Sequence, residues 1–113
     1  MNEAATQKIC ERPFPKVTTQ WVLAELGNFV AATPDRRRFE PFVRKISVDA
    51  RFLIVPADGR LFEAGLRLYA ARRDKNWSLI DCISFVVMEE LRLDQTLTAD
   101  HHFEQAGFKV VLF

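Results

Sequence analysis

The stretch SLIDCISFVVMEELRLDQTLTADHHFEQAGF, Ser78 to Phe108, decides how the rest of the chain is read. Ser78-Leu-Ile-Asp81 has the spacing of a capping box, in which a serine hydroxyl and a carboxylate three residues on satisfy each other's backbone N–H groups. A helix therefore opens at Ser78. It is apolar almost all round from Leu79 to Met88, which implies a central, buried position. Glu89, Glu90, Arg92 and Asp94 return it to solvent. Thr96–Ala99 reads as a strand, Asp100 as the N-cap of a short helix, Gly107 as its C-cap and Phe108–Phe113 as a last strand. In a parallel α/β sheet, residues that follow a strand or open a helix gather along one edge. Asp81 and Asp100 can converge there, and converging carboxylates suit a hard divalent cation.

Upstream, Pro13 and Pro15 break any helix begun in Asn2–Ile9, and Lys16-Val-Thr is a short strand. Thr18 or Thr19 caps a helix over Thr19–Ala32 with apolar positions Trp21, Val22, Leu26, Phe29 and Val30. Glu25 shares a face with Trp21 and Phe29. A carboxylate there needs a partner if it is buried, or reaches solvent if it lies at the edge of the stripe; periodicity leaves both open. Asp35 caps a helix from Arg36 to Ser47, despite Pro41. Its cations, Arg36–Arg38 with Arg44 and Lys45, form either an RNA-facing patch or a solvated face. Arg51–Val55 reads as a buried strand. Asp58 caps a helix through Arg72 with Leu61, Phe62, Gly65, Leu66 and Tyr69 inward. Arg67, Arg72, Arg73 and Lys75 crowd its far end, where cations suit the helix dipole and could also meet RNA.

The 113 residues suit one domain, 1–113, with 49% hydrophobic and 27% charged residues. A net charge of +1 creates no global attraction for nucleic acid, so any RNA contact must be local. Cys10 and Cys82 form no CxxC pair and read as free thiols in a reducing compartment. The polar start MNEAATQK is no signal peptide and no apolar run spans a bilayer, which points to a cytoplasmic protein without membrane contact. There is no glycine-rich phosphate loop and no Ser–His–Asp or Cys–His arrangement with a supporting motif. Adjacent His101 and His102 point to different faces of a helix and read as surface or supporting groups. Strand–helix alternation gives an α/β fold with a parallel sheet.

Asp81-Cys-Ile-Ser-Phe-Val-Val-Met, followed by Leu97-Thr-Ala-Asp100-His-His-Phe-Glu-Gln-Ala-Gly-Phe108, closely resembles the C-terminal half of PIN domains, above all bacterial and archaeal VapC-like toxins. Thr18–Glu25 resembles the PIN segment that carries the second acidic residue, and His102 matches the family's Asp-x-His-Phe pattern. The resemblance implies a PIN-like three-layer α/β/α fold and an endoribonuclease that is the toxin of a type II toxin–antitoxin pair. It implies Glu25, Asp81 and Asp100 as ligands of Mg²⁺ or Mn²⁺ and Thr98 as a hydrogen-bonding support of the site. RNA is the implied substrate, a cognate antitoxin the implied partner and a homodimer the implied assembly.

PIN domains open with a central strand ending in the first of four acids, whereas Met1 here begins in what reads as the following helix. The chain thus reads as an N-terminally truncated PIN domain, as a late start codon or a degraded gene would give. The strands flanking the missing one must pair with each other, leave a gap or borrow a strand. The alternatives to a nuclease are a catalytically impaired remnant that dimerises or binds an antitoxin, or a generic α/β binding module in which the three acids are caps and surface groups.

Overall fold

A computed structural model of the chain describes residues 16–93 and the paired backbone at 95–96 and 109–110. These residues fall in two compact units, one ending at Ala57 and the other beginning at Asp58.

The first unit opens with strand β1 (Lys16–Thr19), which runs directly into helix α1 (Gln20–Val30). Thr19 makes the junction: its backbone is extended, and its hydroxyl accepts from the Val22 N–H at 3.1 Å. Of the two threonines that could cap, it is the second that does. Helix α2 (Arg36–Ser47) and strand β2 (Phe52–Val55) follow. β1 and β2 pair in parallel, from Lys16 opposite Phe52 to Thr19 opposite Val55. A parallel pair needs a crossover, and here α1 and α2 supply it. The Gln20 side chain accepts from the Ala57 N–H at 2.8 Å, which ties the exit of β2 to the start of α1. Gly27 lets α1 approach α2: a Cβ there would lie 2.8 Å from the Phe39 ring.

Three expectations for this unit change. Leu23 is the buried residue of α1, whereas Leu26 is 39% and Phe29 81% exposed. The inward face is thus rotated from the aromatic stripe. Asp35 occupies the N-cap position of α2, but its backbone is helical and its carboxylate makes no cap bond. The Thr33 hydroxyl accepts from the Asp35 N–H at 3.2 Å. β2 is half-buried throughout rather than buried.

The second unit is built on an antiparallel helix pair, α3 (Gly59–Ala71) and α4 (Leu79–Glu90). Asp58 caps α3, its carboxylate accepting from the Leu61 N–H at 2.8 Å. The Arg60 guanidinium forks onto the Glu90 carboxylate, at 2.9 Å from Oε2, and joins the start of α3 to the end of α4. Gly65 packs directly on Ile83; a Cβ would overlap the Ile83 side chain and sit 3.2 Å from its backbone. That approach buries Leu61 and Gly65 and brings Leu68 onto the core cluster of Trp77, Cys82, Phe85 and Met88. Trp77 and Phe85 meet edge to face with centroids 5.0 Å apart, a favoured aromatic geometry.

α4 is as buried as its composition implies, with Cys82, Ile83, Phe85, Val87 and Met88 all inside. The inner face of α3 needs correction: Phe62, Leu66 and Tyr69 are 40–50% exposed. α3 carries two adjacent apolar stripes, Leu61–Gly65–Leu68 and Phe62–Leu66–Tyr69. Only the first contains the glycine that allows close contact. Strands β3 (Gln95–Thr96) and β4 (Lys109–Val110) pair in parallel. Among the described residues the strands therefore form two separate parallel ladders, β1 with β2 and β3 with β4. The architecture is α/β with parallel pairing, as the alternation implies. No helix among the described residues is long and apolar enough to cross a membrane.

Candidate functional site

Asp81 is the candidate ligand whose surroundings are described most fully. The capping box forms as the sequence implies: the Asp81 N–H donates to the Ser78 hydroxyl at 2.9 Å, and the Ser78 N–H donates to Asp81 Oδ2 at 3.1 Å. The carboxylate therefore has a fixed orientation at the N-terminus of α4, where the helix dipole favours negative charge. It is half-buried. The next residue, Cys82, is wholly buried, and its thiol is pushed up from its ordinary pKa by burial and by the negative charge of Asp81. A buried, protonated thiol is inert, so Cys82 contributes packing and no nucleophile.

Glu25 stands on α1 in the first unit. It is exposed and makes no ion pair among the described residues. The solvent-reaching reading of this residue therefore holds, and the cost of burial that would demand a partner does not arise. Asp100 and Thr98 lie outside the described residues, as do Cys10, His101 and His102. Among the described residues no group of three or more His, Cys, Asp or Glu side chains is assembled.

The cations sort by their partners. On α2, the Arg36 guanidinium donates to the Ala31 carbonyl at 3.0 Å, Arg38 meets Asp35 at 3.4 Å and Arg44 meets Glu40 at 3.6 Å. These pairings suit a solvated helix face. At the end of α3, Arg72 grips Asp74 through two bonds of 3.0 and 3.1 Å and lies 5.0 Å above the Trp77 ring. The Asp74 carboxyl is held below its ordinary range mainly by that guanidinium, with the charge of Lys75 adding to it. Arg73 is exposed and makes no ion pair among the described residues.

Arg72 and Arg73 border an open cleft of about 850 Å³ between the end of α3 and the start of α4. Tyr69, Arg73, Lys75, Trp77 and Ser78 are among its walls. The periodicity of α3 assigns Tyr69 to the inner face and so hides the cleft; the one signal against it is Gly65 on the competing stripe.

A family model for the PIN domain matches residues 2–109. No curated protein matches the chain. Among solved structures, the Mycobacterium tuberculosis toxin VapC20, a Sarcin-Ricin loop cleaving toxin, aligns with a TM-score of 0.73 at 19% identity, over 96% of this chain and 84% of that one. Identity this low speaks to the fold alone.

Proposed function

The chain belongs to the PIN-domain family, and from that premise we propose that it is a metal-dependent endoribonuclease, the toxin component of a type II toxin–antitoxin pair. The observation that carries this reading is the family match across nearly the whole chain, joined to the fixed carboxylate of Asp81 at a helix N-terminus. The similarity to a toxin that cleaves the Sarcin-Ricin loop supports RNA as the substrate class.

Glu25, Asp81 and Asp100 are the proposed ligands, with Thr98 supporting them by a hydrogen bond. A set of carboxylate oxygens fits a hard cation such as Mg²⁺ or Mn²⁺. When bound, such an ion lowers the pKa of a coordinated water and stabilises charge on a phosphate. The chain's own part is orientation. Ser78 holds one oxygen of Asp81 through its backbone N–H, so the carboxylate keeps its direction without a ligand. Glu25, on the exposed face of α1, supplies a charge that carries no desolvation cost of its own. We place the protein in the cytoplasm as a single PIN domain over 1–113, a homodimer that a cognate antitoxin holds in check.

The test is RNA cleavage with Mg²⁺ or Mn²⁺, run beside Asp81→Asn and Asp100→Asn. Metal-dependent cleavage that either change abolishes is the expected result. Cleavage indifferent to both changes would overturn the assignment. Antitoxin capture by a chain that cleaves nothing would instead mark a binding module.

A further inference from the structure

We propose that the cleft between α3 and α4 binds a single-stranded stretch of RNA and directs it toward Asp81; the inference rests on the RNA-cleaving reading above. Net charge across the chain is only +1, so attraction for a polyanion has to come from a local set of cations. The cleft has such a set. Arg73 stands at its wall without an ion-pair partner among the described residues, and Lys75 stands beside it. Arg72, by contrast, is spent on Asp74 and on the face of Trp77. It stiffens the rim and leaves the other two cations for phosphates.

Tyr69 supplies the second element of recognition. Its ring borders the cleft and is 50% exposed, beside Leu66 at 40%. An exposed aromatic face next to cations is the arrangement on which unpaired bases stack while their phosphates are neutralised. A duplex keeps its bases stacked on each other and cannot use such a face, so the cleft selects single strands. About 850 Å³ is ample for a nucleotide with its phosphate.

The cleft reaches the residue that anchors the candidate carboxylate. Ser78 forms part of its wall, and the Ser78 N–H is bonded to Asp81 Oδ2 at 3.1 Å. A strand lying along that wall would rest against Ser78, the residue whose N–H holds Asp81. Tyr69, Arg73 and Lys75 are thus positioning residues, and their contribution is to binding.

The experiment is fluorescence anisotropy with labelled oligouridylate, and with a duplex RNA for comparison, in EDTA so that metal plays no part. Tyr69→Ala is expected to weaken oligouridylate binding about tenfold, with Tyr69→Phe restoring it. The double change Arg73→Ala/Lys75→Ala is expected to flatten the dependence of log K on log salt by about 1.4, at about 0.7 per phosphate contact. Both are surface changes, and circular dichroism confirms that the fold is kept. Affinity and salt slope unchanged in all variants would overturn the cleft, even if Asp81→Asn abolishes cleavage. Binding lost in these variants of a chain that never cleaves RNA would sustain the cleft and remove the nuclease reading. Capture of an acidic peptide in place of RNA would overturn it too.

Discussion

Asp49 is held by a residue two positions on. Arg51 donates to it from Nε at 3.1 Å, from a terminal nitrogen at 2.7 Å and from its backbone N–H at 2.9 Å. These bonds lower the Asp49 carboxyl from 3.8 to about 2, the side-chain bonds first among the causes. A lowered pKa means stability present above the ordinary value and lost as pH falls toward 2. Carboxyl NMR is expected to give a midpoint of about 2 for Asp49 and a return toward 3.8 in Arg51→Ala; an unmoved midpoint would show that the pair does not set it. Glycines make a second contrast at this scale. Gly65→Ala gains about 1 kcal/mol of helix propensity but forces a methyl group onto Ile83, at about 1–3 kcal/mol for overpacking, so urea unfolding is expected to show net loss. Gly59→Ala meets nothing within 4 Å and is expected to be neutral or slightly stabilising. Neither outcome is legible in the sequence, where both are simply glycines in one helix.

Helix α4 combines a structural and a proposed chemical use of the same residue. Ser78→Ala removes the hydroxyl that accepts from the Asp81 N–H and is expected to cost about 1 kcal/mol in thermal or urea unfolding. Asp81→Asn keeps an oxygen that can accept from the Ser78 N–H, so it is expected to cost less than Ser78→Ala while abolishing cleavage. A large stability loss in Asp81→Asn would make its inactivity uninformative about metal ligation. The interior of α4 is less forgiving. Phe85→Ala would remove the partner of Trp77 and is expected to cost about 3–5 kcal/mol, a large share of a small protein's stability. The caps at Thr19, Asp58 and Ser78 were readable as short patterns, because each is a local bond between a side chain and an N–H three residues on. Asp35 had the same pattern without the bond, because its backbone is already helical where a capping residue is extended.

Across the whole molecule, the proposed ligands come from separate places in the chain, so metal binding reports on its assembly. Saturating Mn²⁺ is expected to raise the unfolding temperature, by about 2.7 kcal/mol of stabilisation at a hundredfold excess over the dissociation constant, and EDTA to reverse the shift. Asp100→Asn is expected to abolish it. A shift that survives Asp100→Asn would place the ion elsewhere. By itself the sequence determined the α/β class, the order of the helices, the caps at Asp58 and Ser78, the burial of α4 and the PIN family. These rest on interactions between residues a few positions apart, or on motifs kept in one continuous run. Only the tertiary structure decided that Leu61, Gly65 and Leu68 face inward while Phe62, Leu66 and Tyr69 do not, and that the strands pair as two ladders. A helix with two adjacent apolar stripes has no local preference between them; the choice belongs to whichever stripe lets a second helix come closest, and in α3 that is the one with Gly65.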